Sequence, residues 1–264
     1  MNRLKSTPRA TLCIIILCTV MFVPVHLLDL TGSTAENAIL FGAYYRPFVL
    51  AGEWWRLLSM GLIHGSFMHL AVNMFSLYNL GSVLEKTYGT VRYLIILVLS
   101  TLCGSLLTLA CSTDAVTVGL SGGLYGLMAS WFVLLGVRGA FKDPYMRSSV
   151  FRILLINLMI NFMPNIGFLA HLGGFVGGLL LGIALSPDLA ASSLKRNSMI
   201  SFIMLLILLG ARIHYRPARI HEMYLGTDIK VLNMYSRYGL SAHAHRMAVR
   251  LDALYDINYL KNMF

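Results

Sequence analysis

Residues 167–186 read GFLAHLGGFVGGLLLGIALS, a stretch that is apolar throughout except for His171 and the closing serine. A helix needs roughly 20 largely apolar residues to cross the hydrocarbon core of a bilayer, and this stretch has that length. Gly174, Gly178 and Gly182 recur at four-residue spacing, which favours close packing against a neighbouring helix. The stretch therefore predicts a membrane-spanning helix with a closely packed partner.

The rest of the chain repeats this apolar pattern. Of its 264 residues, 57% are hydrophobic and only 12% are charged, which excludes an ordinary soluble domain. The apolar segments are 11–28, 57–80, 91–111, 119–137, 149–163, 167–186 and 198–213. We therefore predict an all-α, polytopic membrane helical bundle in the lipid bilayer, with a six-helix core and an additional C-terminal helix.

The distribution of charge predicts the orientation of the bundle. Lys and Arg concentrate in alternate connections, before the first segment and after the second, fourth and sixth. Because cytoplasmic connections carry an excess of positive charge, we expect a multi-pass protein of the cell membrane with a cytoplasmic N-terminus. The same distribution explains the net charge of +10. Since the basic residues follow no single amphipathic face, we expect no nucleic-acid partner.

The predicted domain organisation has four parts. Residues 1–10 form a cytoplasmic N-terminus, 11–190 the membrane core, 191–213 a seventh helix and 214–264 a small polar tail. Within the tail, residues 241–259 suit a short amphipathic helix. If all seven segments cross, this basic tail lies outside the cell. Either the tail is an exception to the charge rule, or the seventh segment does not cross.

Polar side chains lie near the outer ends of three segments, each of which begins at the outer face. Polar and ionised groups are costly inside a membrane, so their placement indicates function. With a rise of about 1.5 Å per residue, these groups share a depth in the outer half of the bilayer. They could line one cavity that opens to the extracytoplasmic face. They are His64, His69 and Asn73 in the second segment, Ser121 in the fourth and His171 in the sixth.

Ser121 and His171 suit nucleophilic catalysis. A serine hydroxyl needs a base within hydrogen-bond reach, and a neutral histidine can accept its proton and return it to a leaving amine. Taken alone, the Gly-x-Ser-Gly motif is more typical of helix packing, and His171 alone is more typical of a buried histidine with satisfied hydrogen bonds. Together, the two favour a catalytic pair. Because no Asp or Glu lies in the outer half of the fourth or sixth segment, we expect a dyad rather than a triad.

Donors near the serine could stabilise an oxyanion. Gly119 and Leu120 precede it, where glycine lets the backbone turn tightly and the start of the helix leaves N–H groups free. His69 and Asn73 are four residues apart and so share a helix face, from which imidazole and carboxamide donors could complete the site. His64 lies about a turn and a half earlier, nearer the surface.

A metal site on His64, His69 and His171 is an alternative that the sequence disfavours. The chain has no His-Glu-x-x-His motif, and nothing acidic stands beside these histidines to act as a base. The four cysteines also lack paired spacing. We therefore expect neither a metal nor another cofactor.

These motifs together resemble the rhomboid family of intramembrane serine proteases over roughly residues 52–186. The second segment has the family's His-x4-His-x3-Asn spacing, and the fourth and sixth have its nucleophile and histidine motifs. The seventh segment and the tail match no motif of the family. The matching positions are Trp55-Arg56, His64, His69, Asn73, Gly81-x3-Glu85-x3-Gly89, Gly119-Leu120-Ser121-Gly122 and Ala170-His171-Leu172-Gly173-Gly174.

The resemblance implies a role for each residue of the site. Ser121 would be the nucleophile and His171 the general base and acid. His69, Asn73 and the backbone N–H of Ser121 would bind the oxyanion. Tyr125 would stack on His171 and hold its ring, although an interfacial aromatic residue is an equal alternative.

Other positions would have structural roles by the same resemblance. We assign structural roles to Trp55, Arg56, Glu85 and Lys86. The alternative for Trp55 and Arg56 is an ordinary headgroup anchor, and the alternative for Glu85 with Lys86 is a solvated helix end. The segment 162–164, Phe-Met-Pro, would lie at a mobile cap over the site. Pro164 ends the fifth helix, which makes a flexible loop there physically reasonable.

The resemblance implies that the core, residues 11–190, is a serine endopeptidase whose partners are transmembrane protein substrates. One alternative is a catalytically inactive rhomboid-like protein that binds membrane helices. Another is a transporter or channel, which would need paired charges along its spans, where almost none occur. The physiological substrate and the oligomeric state stay open.

Overall fold

The computed structural model describes residues 7–28, 30–111, 116–162, 166–215, 220 and 222–264. These residues are almost entirely helical, which confirms the predicted all-α bundle. The α-helices are α1 (Arg9–Leu27), α2 (Thr34–Leu40), α3 (Arg46–Leu50), α4 (Arg56–Ser59), α5 (Phe67–Ser76), α6 (Ser82–Tyr88), α7 (Thr90–Cys111), α8 (Ser121–Val137), α9 (Pro144–Ile160), α10 (Phe168–Ala184), α11 (Ser193–Tyr215), α12 (Leu225–Arg237) and α13 (Ser241–Tyr255). Two short strands, β1 (Tyr44–Tyr45) and β2 (Val116–Thr117), pair in antiparallel orientation.

Each predicted apolar segment overlaps at least one of these helices, and several of the helices reach the length of a membrane span. In the described part of the chain, α1, α7 and α11 are long and apolar enough to cross a membrane. The bent pair Arg56–Leu62 and Phe67–Tyr88 adds a fourth candidate if it counts as one span. α8 and α10 are shorter apolar helices of 17 residues each. The protein is therefore a multi-pass membrane protein, and the crossing of its shorter helices stays a prediction.

The second predicted segment is not continuous, because residues 63–66 interrupt it. Ile63 has extended backbone angles, with φ −93° and ψ 138°. The Ser66 hydroxyl accepts a hydrogen bond from the backbone N–H of His69 at 3.2 Å, as a helix N-cap does, so α5 begins anew. Gly65 lowers helix propensity at the break. Hydropathy did not reveal the interruption because apolar residues continue on both sides of it.

The described residues divide into two compact units. Helices α7 to α11 belong to the first unit, whereas the first loop (residues 30–62) and the tail share the second. The chain ranges are 1–15, 72–112 and 121–214 for the first unit, and 16–71, 113–120 and 215–264 for the second. The tail thus belongs to the same compact unit as a loop that is far from it in sequence.

Glycines determine the packing at the centre of the first unit, where α10 lies against α7 and α8. A Cβ atom added at Gly174 would lie 2.0 Å from the backbone of Gly122, and one at Gly178 would lie 2.2 Å from Gly126. Real side chains do not approach a backbone so closely, so only glycine permits this separation. The closely packed partner predicted for residues 167–186 is therefore α8.

The second unit has its own hydrophobic core. Buried side chains of the first loop pack there against buried side chains of α12 and α13. This core includes Ile39, Tyr45, Phe48, Val231, Leu232, Tyr235, Met247 and Leu251. The strand pair also belongs to this unit, with Tyr44 opposite Thr117. The tail is thus helical and packed, with α12 and α13 where the sequence predicted one short helix.

Candidate active site

Ser121 and His171 lie within hydrogen-bond distance of each other. Ser121 is the first residue of α8, and His171 lies in the first turns of α10. The distance between Ser121 Oγ and His171 Nε2 is 2.7 Å. Small residues next to both side chains allow the approach, since a Cβ at Gly122 would lie 3.1 Å from the carbonyl oxygen of Ala170. The glycine packing of α8 and α10 thus brings a nucleophile to a base.

Tyr125 lies one helical turn after the serine, and its ring is stacked on His171. The ring centroids are 4.2 Å apart with an angle of 10° between the planes. The Tyr125 hydroxyl donates a hydrogen bond to the carbonyl oxygen of Asn157 at 3.3 Å. The tyrosine therefore restricts the imidazole on one face and is itself held from α9.

Asn161, at the C-terminal end of α9, is a site residue that the sequence analysis missed. Its Oδ1 lies 2.6 Å from His171 Nδ1, and its Nδ2 donates to the Tyr125 hydroxyl at 2.9 Å. A signal was available, because Asn157 and Asn161 are amides in an apolar segment, and Asn161 is near its outer end. The predicted group of polar residues came only from the segments that begin at the outer face. The fifth segment ends there instead.

Asn73 is buried in α5, in the same unit as Ser121 and His171. Its Nδ2 has no hydrogen-bond partner among the residues that the structure describes. An unsatisfied buried amide costs free energy, so a donor left in this state is available for a substrate oxygen. This state is compatible with the role that the resemblance implies for Asn73.

The remaining oxyanion candidates belong to the second unit. His64 is buried, and its ring meets that of His69 edge to face, with centroids 5.1 Å apart. Gly119 has a positive φ of 110°, which glycine adopts readily, and its N–H donates to the carbonyl oxygen of Met60 at 2.9 Å. The N–H of Gly119 is thus engaged within the chain, and its positive φ fits the tight turn expected at this glycine. Leu120 is buried beside it.

The described residues contain no group of three or more His, Cys, Asp or Glu side chains that could hold a metal ion. In this part of the chain, the groups that meet at the site are a hydroxyl, an imidazole, a phenol and the side-chain amide of Asn161. Such groups can transfer a proton and donate hydrogen bonds. The arrangement therefore suits acid–base and nucleophilic chemistry.

A family model described as Rhomboid domain matches residues 51–188. The chain belongs to the rhomboid family. It is similar to RHOMBOID-like protein 5 of Arabidopsis thaliana, with 36% identity over 170 residues that cover 62% of this chain and 54% of that protein. It is also similar to Rhomboid protease GluP of Bacillus subtilis (strain 168), with 31% identity over 215 residues that cover 80% of this chain and 41% of that protein. The chain spans about half the length of these relatives.

In this rhomboid protein, Arg56 and Glu85 of the family motifs are both buried. The alternative of a headgroup anchor is therefore excluded for Arg56, whereas Trp55 is half exposed. Glu85 accepts hydrogen bonds from the backbone N–H groups of Ala10 and Thr11 at 3.0 and 2.9 Å, so it caps the start of α1 and is not a solvated helix end. Both residues have structural roles.

The predicted cap of the rhomboid site falls mostly outside the described residues. Met163 and Pro164 belong to the part of the chain that the structure does not describe. Phe162 is described and lies just past α9, with 80% of its side chain exposed. The cap therefore stays a prediction.

Proposed function

We propose that this rhomboid-family chain is an intramembrane serine endopeptidase that cleaves transmembrane segments of other membrane proteins. The observation that carries the proposal is the contact of 2.7 Å between Ser121 Oγ and His171 Nε2. A hydroxyl at that distance from an imidazole nitrogen can transfer its proton as it attacks a carbonyl carbon. The similarity to Rhomboid protease GluP supports the same reaction class.

The proposed reaction has two steps. In the first, Ser121 Oγ attacks the scissile carbonyl carbon while His171 Nε2 takes the hydroxyl proton. His171 then gives that proton to the leaving amine nitrogen as the peptide bond breaks, which leaves an acyl-serine. In the second step His171 deprotonates a water molecule, which attacks the ester carbon. The proton returns to Ser121 Oγ as the carboxylic acid product leaves.

The oxyanion of each tetrahedral intermediate would be stabilised by Asn73, His69 and the backbone N–H of Ser121. The free, buried Nδ2 of Asn73 supports this assignment. Ser121 opens α8, and the first N–H groups of a helix have no acceptor within it. His64 would support the site from nearer the surface.

We also propose that the N-terminus is cytoplasmic and that the site opens towards the extracytoplasmic face. The concentration of Lys and Arg in alternate connections supports this orientation. Water would then reach the acyl-enzyme from outside the cell. Substrates would be transmembrane helices that unwind locally and place a small side chain at the cleaved bond.

The test is cleavage of a generic transmembrane substrate by the purified full chain in detergent and in liposomes. We expect activity from the wild type and none from Ser121→Ala or His171→Ala. Matched controls are Ser148→Ala and His214→Ala, which alter exposed side chains and should cleave as the wild type does. Cleavage that persists in Ser121→Ala would refute the mechanism.

A fluorophosphonate probe gives a second measurement at the nucleophile. It should label the wild type and both control variants, but not Ser121→Ala. If the wild type neither cleaves nor reacts with the probe, the inactive rhomboid-like alternative replaces the proposal. Binding of the uncleaved substrate helix would then be the activity to measure.

A further inference from the structure

We propose that Asn161 is a positioning residue that holds His171 in the tautomer needed for proton transfer. This inference deepens the proposed function and rests on it. His171 Nδ1 lies 2.6 Å from Asn161 Oδ1, and Nε2 lies 2.7 Å from Ser121 Oγ. Both ring nitrogens are thus engaged, each by a side chain from a different helix.

The hydrogen bonds of the Asn161 amide determine which of its atoms faces the imidazole. Nδ2 lies 2.8 Å from the carbonyl oxygen of Asn157, which can only accept, and 2.9 Å from the Tyr125 hydroxyl. Nδ2 is therefore the donor on that side, and Oδ1 is left to face His171. Because an amide oxygen can only accept, the hydrogen of the ring must be on Nδ1.

The tautomer then follows for the other ring nitrogen. A neutral imidazole carries one N–H, so a hydrogen on Nδ1 leaves a lone pair on Nε2. That lone pair is directed at Ser121, as a general base requires. In the opposite tautomer the lone pair of Nδ1 would face the Asn161 oxygen, and the network would lose this hydrogen bond.

The same contact should favour the charged form of His171 that arises during the attack. Once His171 takes the serine proton, its Nδ1–H becomes a cationic donor, and hydrogen bonds from charged donors are the stronger ones. A carboxamide offers this acceptor without adding a second charge to an apolar segment, where a charge is costly. Asparagine takes the equivalent place in cysteine–histidine–asparagine proteases.

The first experiment compares two substitutions of Asn161 in the purified full chain. Asn161→Leu removes the acceptor at similar volume, and we expect kcat to fall ~10- to 100-fold with little change in KM. Asn161→Asp keeps an acceptor oxygen and should recover a large part of that loss. The matched control is Asn79→Leu, because Asn79 is exposed and its side-chain amide donates to the carbonyl oxygen of Phe75, four residues earlier. It should keep the kcat of the wild type.

The second experiment reads the tautomer directly by nitrogen NMR of histidine-labelled protein, with His171 assigned from the His171→Gln spectrum. We expect the Nδ1–H form in the wild type and in Asn79→Leu, and a population of the Nε2–H form in Asn161→Leu. Unchanged kcat and an unchanged tautomer in Asn161→Leu would overturn the proposal. So would an Asn161→Asp variant no more active than Asn161→Leu. A wild type with the expected tautomer but no proteolysis would refute the proposed function alone.

A different set of contacts carries a second inference, which does not depend on catalysis. We infer that the tail (residues 220–264) docks on the first loop and lies on the same side of the membrane as that loop. Within the second unit, the buried Asp228 of α12 accepts hydrogen bonds from Tyr45 of the loop and from Tyr255 of α13, both at 2.6 Å. One carboxylate therefore joins the loop to both tail helices.

Arg56 is the second point of attachment. It is fully buried, and its guanidinium donates to the loop carbonyl oxygens of Ile39 and Ala43 at 2.6 and 2.8 Å. It also makes an ion pair with Glu53 and donates a hydrogen bond of 2.7 Å to the Tyr235 hydroxyl of α12. The tail thus completes the hydrogen bonding of a buried charge, which would be costly to leave unpaired.

The docking of the tail bears on whether the seventh segment crosses the membrane, a question that the charge distribution left open. A loop and a tail in contact must lie on one side of the membrane, so an even number of crossings separates them. The predicted segments between them are six, from the second to the seventh. If the other five cross, an even count requires that α11 crosses as well, and the tail is the exception to the charge rule.

Labelling of intact cells with a membrane-impermeant maleimide tests the side. Single cysteines are introduced at Asn262 in the tail, Ala35 in the first loop and Lys142 between α8 and α9, all of which are exposed. The exposed native cysteines, Cys13 and Cys111, are replaced by alanine. We expect Asn262→Cys to label as Ala35→Cys does, and unlike Lys142→Cys. The inference would be overturned if Asn262→Cys were labelled as Lys142→Cys is.

Thermal unfolding tests the contact itself. Tyr235→Leu removes the hydroxyl at Arg56 and should lower the Tm by about 4–8 °C. Tyr238→Leu, three residues later on an exposed side chain, is the matched control and should leave the Tm near that of the wild type. Equal Tm values for the two variants would overturn the docking.

Discussion

Tyr125 can be tested separately for its ring and for its hydroxyl. Tyr125→Phe keeps the stacking on His171 but loses the hydrogen bonds to Asn157 and Asn161. Tyr125→Ala loses both. Because stacked pairs contribute about 0.5–1.5 kcal/mol, we expect kcat/KM to fall by about 2- to 12-fold from loss of the ring. Full activity of Tyr125→Ala would show that the ring has no role, and an equal loss in both variants would assign the effect to the hydroxyl.

Asn73 allows a test of oxyanion stabilisation at a single residue. Its Nδ2 is buried and has no partner among the described residues, so Asn73→Ala removes a donor without breaking a hydrogen bond of that group. Loss of one oxyanion donor costs roughly 100- to 1000-fold in kcat, with KM little changed. Asn79→Ala is the control, since Asn79 is exposed and its amide donates to Phe75 of the same helix turn. If both variants keep the kcat of the wild type, Asn73 is not an oxyanion donor.

At the scale of elements, the contact between α8 and α10 determines whether the serine and the histidine meet. A side chain at Gly178 would overlap the backbone of Gly126, which directly follows Tyr125 on α8. Gly178→Leu should therefore separate the helices, destabilise the protein by about 1–3 kcal/mol and reduce cleavage, although it touches no catalytic group. Gly210→Leu on α11 is the control because open space surrounds Gly210. Thermal unfolding and cleavage rates measure both effects, and wild-type values for Gly178→Leu would contradict this packing.

At the scale of the whole molecule, the docked tail should make stability depend on pH. Burial raises the pKa of Asp228 from 3.8 to about 6, against the hydrogen bonds from Tyr255 and Tyr45, which lower it. The folded state therefore binds a proton that the unfolded chain has already lost between about pH 4 and 6. The contribution of Asp228 is present in full below about pH 4 and is lost as the pH rises through about 6.

Thermal unfolding of the wild type and of Asp228→Asn from about pH 3.5 to about pH 7.5, a range that includes this window of about pH 4 to 6, measures the effect. Asparagine keeps a hydrogen-bonding group at the position but does not titrate. We expect the Tm of the wild type to decrease more steeply with rising pH than that of Asp228→Asn. Identical slopes would show that Asp228 does not titrate in this range.

How much could be predicted from the sequence differs among these features. The apolar segments, the glycine face of residues 167–186 and the pairing of Ser121 with His171 were accessible because length, hydropathy and spacing are local properties. The break at residues 63–66 could not be predicted in this way, because an N-cap interrupts a helix without lowering the hydropathy of the segment. Asn161 was overlooked for a different reason: the fifth segment ends at the outer face, and polar residues were grouped only on segments that begin there.

The sequence by itself therefore determined that the chain is a multi-pass helical membrane protein, and it identified the serine and the histidine whose side chains meet. Only the tertiary structure decided what completes their surroundings: Asn161 on His171, the engaged N–H of Gly119, and the burial of Arg56 against a tail tyrosine 179 positions away. The physical reason is the sequence distance that each property involves. Hydropathy is a property of neighbouring residues along a helix, whereas hydrogen bonds between distant side chains exist only once packing has brought their elements together.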